Sequence, residues 1–512
     1  MNDLLLIAVP LREINYPPMS LPLLKSICHE RGYKVALSDA NLEYWKDCKN
    51  EKAFLQNTIN IQNIKPVTME ELENSHFGKW TRDYVGRLLE KTKPRVIGLS
   101  VFSYISNLAA YYMGRVIREM APAGTTMFIG GYGASSPLNF AEAIGAPERD
   151  NLAQTMRDEG IIDSYILGDG EEAIVEFMQT LENADPDKVN KIKAFTEMPY
   201  PDYSDLDLSS YPYANNTTLP VTGSKGCVRR CKFCDIPGLY GKYKQRAGKD
   251  IALECIHHYE THGAKTLYLT DSLVNGSMKS FLEFISTLAE LKAKKNIKDM
   301  QWTGQYITRP AHQIPHNKDY YPLMAESGAV GLSVGAESGS NKVLDEMDKK
   351  MTVEDLFIEL DYFRKYGITM VPNILPSYPT ETREDFELTL KMIRDFQPYV
   401  ADGTLEKIGG IARWYGADKL NWWGDKGPEH GWYVHKNDGQ MWWYSKNPEL
   451  TLTERVFRRL AISKALARLD MPVAMDEPYE LKKMILWHES NNAKYDKWLS
   501  GIKQYKEWTT HA

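Results

Sequence analysis

Three of the chain's six cysteines fall within eight residues, in Gly226-Cys227-Val-Arg-Arg-Cys231-Lys-Phe-Cys234-Asp-Ile-Pro237. A loop this short can turn all three sulfurs toward one point, and thiolates so gathered bind a soft metal centre. The rest of the chain has to present that loop. Two metals compete for it. Zinc asks for a fourth protein ligand to close a tetrahedron, and none lies at finger spacing: the nearest are Cys255, His257 and His258, in what reads as the next helix. A cubane of four irons and four sulfurs normally takes four cysteines, so three leave one iron open to a substrate or cofactor.

The Cys-x3-Cys-x2-Cys spacing, with the aromatic Phe233 just before the last cysteine, resembles the signature of the radical S-adenosylmethionine (radical SAM) enzymes. That resemblance implies that Cys227, Cys231 and Cys234 hold a 4Fe-4S cluster and that the amino and carboxylate groups of S-adenosylmethionine (SAM) chelate the open iron. It also implies that reduction of the cluster, by a one-electron donor such as flavodoxin or ferredoxin, splits the sulfonium and yields a 5'-deoxyadenosyl radical. The hard chemistry is then the cofactor's, and the protein orients it and excludes water.

Ahead of the cysteines, strand and helix alternate. A continuous apolar run at 4–9 ends in Pro10, as a buried parallel strand does. Ser20 can cap a helix that stops at Gly32, and 34–38 reads as a second strand. A long, mostly polar insertion with a helical segment at 69–91 follows. Then come strand 96–101, helix 107–120, strand 126–129, a glycine turn at 130–133, strand 165–167 and helix 171–181. The pattern predicts a doubly wound, Rossmann-like α/β domain, whose ligands belong at the carboxyl ends of the strands. Those ends carry Ser100 and Phe102, then Gly130 and Gly131, then Gly168, Gly170 and Glu171. Glycines there let backbone amides approach a ligand closely.

Taken with Pro17-Pro18-Met19-Ser20-Leu21, these loops resemble, over residues 1–185, the cobalamin-binding domain that precedes the barrel in one large class of radical SAM enzymes. The resemblance implies cobalamin as a further cofactor, held by those loop residues. The Asp-x-His-x-x-Gly string that supplies a histidine to cobalt in that domain is absent, and the first third contains only His29 and His76. The lower axial position is therefore expected to be filled by something else, unless the domain keeps the fold without the vitamin.

Residues 186–218 hold Pro199, Pro201 and Tyr211-Pro212-Tyr213 with little periodicity, and read as a connector. From 219 to 412 strand, loop and helix repeat, with candidate strands at 219–222, 266–270, 301–305, 330–334, 369–375 and 405–411. That span is short of the roughly 250 residues of a closed eight-unit barrel. A partial (β/α)6 barrel fits better, and radical SAM cores resemble that.

Barrels place chemistry at the carboxyl ends of strands. Here those ends carry, in order, the cysteine loop, Asp271-Ser272, Gln305 with Arg309 beyond it, and Gly335-Ala-Glu337-Ser338-Gly-Ser340. The last closely resembles the family's Gly-x-Glu-Ser-Gly-Ser, and Asp271-Ser272 falls where the family contacts the SAM amino group. The resemblance implies a SAM site of Phe233, Asp271, Ser272, Gln305, Arg309, Glu337 and Ser338, with Phe233 against adenine and Glu337 accepting from the ribose hydroxyls. After the fifth strand the family writes Gly-x-Pro-Gly-Glu-Thr. Here Ser377 and Thr380 stand for the glycines, and Glu381 and Thr382 read as caps of the next helix. Arg246 matches a frequent family arginine and reads equally as a solvated charge.

Residues 413–512 open with an aromatic-rich stretch, Trp414 to Tyr444, that can roof the barrel mouth or pack a small satellite core; helices at 451–469 and 478–508 make the region mainly α. A net charge of −6 over 512 residues argues against a sequence-independent nucleic-acid surface. Clustered thiols with no disulfide framework point to a reducing compartment. There is no secretory signal and no apolar run of about 18 residues. The expectation is a cytoplasmic protein without a membrane span. The function expected first is cobalamin-dependent methyl transfer to an unactivated carbon. Alternatives are a radical SAM cyclase, oxidase or rearrangement enzyme without methyl transfer or without bound cobalamin, and a zinc-knuckle binding protein. A methylthiotransferase needs a second cluster on three N-terminal cysteines, and only Cys28 and Cys48 precede the barrel. The substrate, a small molecule or a peptide, is not legible.

Overall fold

The computed structural model describes residues 2–10, 14–48, 68–136, 151–181, 197–212, 217–234, 236–313, 320–406, 411–412, 432–434, 443–445, 449–471, 494 and 497–502. They fall into two compact units, Met1–Pro220 and Val221–Ala512.

The first unit is built on β1 (Asn2–Ala8), β2 (Val35–Asp39), β3 (Pro94–Ser100), β4 (Thr126–Gly130) and β5 (Ser164–Ile166), all parallel in the order β2-β1-β3-β4-β5. A strand covered on both faces has to be apolar on both, and β1 divides its residues accordingly. Leu5 and Ile7 join one core with Tyr44, Trp80 and Met113. Leu4, Leu6 and Ala8 join the other with Leu21, Ile174 and Met178. The helices are α1 (Ser20–His29), α2 (Ala40–Cys48), α3 (Met69–Asn74), α4 (His76–Thr92), α5 (Asn107–Met120), α6 (Leu152–Asp158) and α7 (Gly170–Leu181).

The structure departs from expectation at two places here. The helical segment at 69–91 is two helices, because Ser75 takes an extended ψ of 165° and serves as C-cap of α3 and N-cap of α4, its side chain accepting from the Gly78 N–H. The polar insertion also begins with α2, which Asp39 starts by accepting from the amides of Asn41 and Leu42 while Tyr211 donates to its other oxygen.

The second unit carries an arc of six strands, the first of which begins just ahead of its boundary: β6 (Thr218–Val221), β9 (Thr266–Leu269), β10 (Gln301–Tyr306), β11 (Leu332–Glu337), β12 (Met370–Ile374) and β13 (Ile411–Ala412). Two further short strands, β7 (Ser224–Lys225) and β8 (Lys244–Gln245), pair antiparallel beside it. The order β13-β12-β11-β10-β9-β6 follows the chain, the winding of a partial barrel with each helix crossing back to the next parallel strand. Those helices are α8 (Ile236–Tyr240), α9 (Gly248–His262), α10 (Met278–Lys295), α11 (Tyr320–Ser327), α12 (Asn341–Glu346), α13 (Val353–Tyr366) and α14 (Arg383–Asp395).

Of the expected strand 405–411, the described residues show a bridge from Leu405 to Met370 and the start of β13, and 407–410 lie outside the described residues. Beyond the arc, Trp432–Val434 and Trp443–Ser445 form a two-stranded antiparallel hairpin, and α15 (Leu452–Arg468) starts at the N-cap Thr451. The rest of the aromatic-rich stretch, and most of the helices expected at 478–508, lie outside the described residues.

Candidate functional site

The cysteine loop is anchored before it begins. Asp271, at the carboxyl end of β9, accepts from the Gly223 N–H at 2.8 Å and the Ser224 hydroxyl at 2.5 Å. Both carboxylate oxygens thus serve the strand that leads into the loop. Burial pushes the Asp271 carboxyl up to about 6. The chain then turns at Gly226, and Cys227 Sγ accepts from the Arg229 N–H at 3.4 Å. The Cys234 N–H donates to the Cys231 carbonyl at 3.0 Å, and the Lys232 N–H to the Met347 carbonyl at 2.9 Å, which ties the loop to the segment after α12.

None of the three thiols is in a disulfide. Burial pushes Cys227 and Cys231 up, and the nearby cations Lys349 and Arg229 pull both back toward the thiolate. Arg309 adds to the pull on Cys227. Arg229 Nε and Nη2 and Arg309 Nε are buried without a hydrogen-bond partner among the described residues. Donors left this way beside thiols suit an anionic occupant. Among the described residues, His257, His258 and His262 are the trio whose ligand atoms lie within 4.8 Å of one another. The histidines named as possible fourth ligands thus gather with one another. Three thiols with cations and unpartnered donors beside them fit an anionic cluster with one iron left open better than the closed four-ligand set of structural zinc.

Beside the sulfurs lies a pair that half escapes the sequence. Glu337, at the end of β11, has φ +57° at a bulge against β12. Its Oε1 accepts from Lys349 Nζ at 2.7 Å, with both side chains over nine-tenths buried. Burial works against the Lys349 charge, but Glu337, Cys231 and Cys234 outweigh it and hold its pKa above the ordinary lysine value. The same ammonium stands 5.6 Å from the centre of the Phe233 ring. Phe233 packs on Val343, Met347, Leu375 and Tyr378. Gly335 makes the room, since a Cβ there would lie 2.2 Å from Glu337 Oε1 and 2.4 Å from Lys349 Nζ.

The other expected residues are distributed unevenly. Ser272 is half-buried next to Asp271. The Gln305 carbonyl accepts from the Val274 N–H, while Arg309 donates to the carbonyls of Asn275 and Gly276. Asn275 exchanges two hydrogen bonds with the Ile307 backbone and so fixes that turn against the end of β10. Ser338 is buried, accepts from the Ser340 N–H at 3.1 Å and faces Thr389 at 3.3 Å, so it shapes the turn from within.

Two readings are corrected. Arg246 is no solvated charge: it is buried, paired with Glu254 at 2.5 Å and donates to the Thr222 carbonyl at 2.8 Å. Thr382 does cap α14, in a reciprocal box with Asp385, but Glu381 does not. Glu381 accepts from the Ser377 N–H at 3.0 Å and from Arg458 of α15 at 2.8 Å, with both charged side chains fully buried.

In the first unit, the carbonyl of Ser100 accepts from the Val9 N–H and that of Gly130 from the Val101 N–H, so both help close the strand ends. Gly131 sits at φ +93°, where a Cβ would lie 2.4 Å from the Val101 carbonyl oxygen. Gly168 lies at φ +94°, Gly170 opens α7, and Glu171 is buried in its first turn. Three large apolar side chains on these loops face solvent within the unit: Phe102, 73% exposed, Tyr132, 46%, and Leu167, 43%. No helix among the described residues is long and apolar enough to cross a membrane.

Residues 221–393 match the Radical SAM superfamily. An uncharacterized methyltransferase of Pyrococcus horikoshii is 24% identical over 260 residues, which cover 47% of this chain and 54% of the relative. The anaerobic magnesium-protoporphyrin IX monomethyl ester cyclase of Cereibacter sphaeroides is 24% identical over 304 residues, 59% of this chain and 46% of the relative. The chain thus spans about half the length of the curated relatives it matches. A solved structure of the radical SAM methyltransferase TsrM from Kitasatospora setae, with tryptophan substrate and a SAM analogue bound, has a TM-score of 0.55 at 15% identity, covering 77% of this chain and 71% of that one. A second structure of it, with cobalamin and a [4Fe-4S] cluster bound, has a TM-score of 0.53 at 16% identity, covering 77% and 73%. At these identities the likeness is one of fold.

Proposed function

From the premise that this is a radical SAM enzyme, with its radical SAM domain at residues 221–393, we propose that it transfers a methyl group, with the help of cobalamin, to an unactivated carbon of a small-molecule or peptide substrate. A 4Fe-4S cluster in such a domain would supply one-electron reduction of SAM, given a donor of the flavodoxin or ferredoxin class. Cys227, Cys231 and Cys234 are its ligands in this reading. Arg229 and Arg309 offset the charge of the thiolates, and the carboxylate of Asp271 keeps the loop entrance in place. Glu337, held through Oε1 by Lys349, offers its second oxygen to a ribose hydroxyl. Phe233, steadied between the Lys349 ammonium and an apolar bed, lies against adenine. Ser272 and Gln305 line the same strand ends, and Ser338 and Arg309 hold the turns that shape them. The observation that carries the reading is the set of three unlinked thiols, with the cations Lys349, Arg229 and Arg309 acting on Cys227 and the first two on Cys231 as well.

The cobalamin half rests on the first unit alone. Bound cobalamin would supply a cobalt centre able to carry a methyl group. Phe102, Tyr132 and Leu167 give its planar macrocycle an apolar bed at three successive strand ends. The tight turn at Gly131 brings backbone close to it, as do Ser100, Gly130, Gly168, Gly170 and Glu171 around it. TsrM, with the same fold, has been solved with cobalamin bound. The resemblance to the Cereibacter sphaeroides cyclase favours a second reading, radical chemistry in the same architecture without methyl transfer.

Anaerobic assembly with iron, sulfide and hydroxocobalamin separates the two. One corrin retained per chain, with isotope moving from methyl-labelled SAM to a product, is the expected result. A chain that cleaves SAM yet retains no corrin supports the second reading, and an iron-free chain that holds zinc overturns both.

A further inference from the structure

α9 ends in His257-His258-Tyr-Glu-Thr-His262. His258 and His262, four apart, lie one turn above the other on one helix face, with His257 to the side. Their ring centroids are 5.6, 5.7 and 6.1 Å apart, and one ring nitrogen from each lies within 4.8 Å of the others. We propose that these three imidazoles form a second metal site, for a divalent ion of the zinc, cobalt, nickel or copper class, separate from the cysteine loop and independent of the function assigned to it.

The surroundings are those of a ligand set. Imidazole nitrogens select ions of that class. His258 is fully buried, and its Nε2 faces Glu254 Oε1 at 3.5 Å. A carboxylate beside a ring nitrogen helps to orient the ring. Glu254 is itself fixed by Arg246, whose guanidinium also donates to the Thr222 carbonyl. The carboxylate is thus tethered as an outer partner, and the ion has three protein ligands and an open position, the arrangement of an exchangeable site. With metal–nitrogen bonds of about 2.0–2.1 Å, tetrahedral nitrogens lie about 3.3 Å apart, so these have to close by up to about 1.5 Å. His257 and His262 are only half-buried and can rotate onto His258.

A cluster of three histidines at a helix C-terminus also suits the helix dipole when the rings are charged, so the test has to read coordination and not charge. The probe is Co²⁺, added to the metal-stripped full-length chain and, separately, to the chain with its iron cluster in place. The expected result with the cluster in place is one equivalent bound, with visible d–d bands and no thiolate-to-cobalt charge transfer in the near ultraviolet, and the stripped chain should show the same d–d bands beside any ion its open thiols take up. His262→Ala, a half-exposed position that the fold tolerates, should weaken binding at least tenfold, and Glu254→Gln about 10- to 100-fold. Charge transfer from thiolate, with affinity unchanged in His262→Ala, places the ion in the cysteine loop and overturns the proposal. Absence of Co²⁺ and Zn²⁺ uptake by the cluster-loaded chain overturns it too.

Discussion

Lys349 Nζ donates to Glu337 Oε1 at 2.7 Å, in a setting where neither side chain keeps more than a tenth of its surface. Removing one partner of a buried ion pair leaves the other charge uncompensated, at a cost of about 3–5 kcal/mol, whereas replacing both with neutral groups is far milder. Lys349→Met should therefore destabilise the barrel unit by about that amount. Lys349→Met combined with Glu337→Gln should recover most of it. Thermal unfolding of the cluster-free chain measures both variants, and simple additivity of the two changes would remove the pair from the account. In cluster-loaded protein, loss of the ammonium should also shift the reduction potential of the cluster to more negative values, read by an EPR-monitored titration.

The cysteine loop and Glu337 stand out in the sequence because their spacing is local: three cysteines within eight residues and a carboxylate inside a glycine-serine string. Lys349 does not. It stands beside Lys350 in a run that reads as a solvated face, and nothing in the residue types tells the two lysines apart. Positive φ at both Asp348 and Lys350 sends Lys349 inward and leaves Lys350 exposed against Asp348. Arg246 and Glu381 escaped for the same reason: their partners Glu254 and Arg458 are 8 and 77 residues away, and a buried charge is recognised by its partner. The strands fared better, since an apolar run bounded by turn residues needs no distant information. Where the whole strand is described, their ends shift by up to three residues, the most at β11, expected at 330–334 and found at Leu332–Glu337.

Ser377 stands where the related motif has glycine, and the backbone there still has the glycine conformation, φ +65°. A left-handed conformation costs an L-residue about 1–2 kcal/mol, and the Ser377 hydroxyl is buried without a partner among the described residues. Ser377→Gly keeps the amide bond to Glu381 and should stabilise the protein by about 1 kcal/mol after the entropy of glycine is subtracted. A fall in melting temperature would mean that the hydroxyl serves a bound ligand.

Arg458 spans from α15 to the start of α14, donating to Glu381 Oε2 and to the carbonyls of Glu381 and Thr382. Burial raises the Glu381 pKa, and the guanidinium opposes the shift. Arg458→Met should cost about 3–5 kcal/mol by leaving that carboxylate buried and alone. Adding Glu381→Gln should return part of it, and the measured coupling between the two changes checks the pairing.

Glu359 is buried among Tyr306, Tyr320 and Tyr321, accepting from Tyr306 at 2.6 Å and Tyr321 at 3.3 Å. Burial pushes its carboxyl up to about 7 from an ordinary 4.5. Between those values the folded chain holds a proton that the unfolded chain has released, so stability is full below pH 4.5 and declines as pH rises toward 7. Over that window the loss amounts to about 3 kcal/mol. Glu359→Gln, which cannot ionise, should melt close to wild type at about pH 4.5 and above it at about pH 8. A difference of the same size at both pH values would show that the carboxyl does not titrate there.

Phe102 separates the cobalamin reading from a vacant fold of the same shape. Its side chain is 73% exposed within the first unit, so Phe102→Ser should leave stability within about 0.5 kcal/mol of wild type. If a corrin lies on it, the variant forfeits part of the roughly 1.5–3 kcal/mol that burying a phenylalanine contributes. A loss of about 1–2 kcal/mol corresponds to a roughly 5- to 30-fold weaker affinity. Gly131→Ala tests the same bed from the backbone side, because its Cβ would lie 2.4 Å from the Val101 carbonyl oxygen and has to push the loop outward. Hydroxocobalamin titration read by corrin absorbance compares the two with wild type, and near-ultraviolet circular dichroism reports whether each remains folded. Folded Phe102→Ser that binds the corrin as tightly as wild type would place the vitamin away from these strand ends, whereas weakening in both variants ties it to Phe102 and the turn behind it.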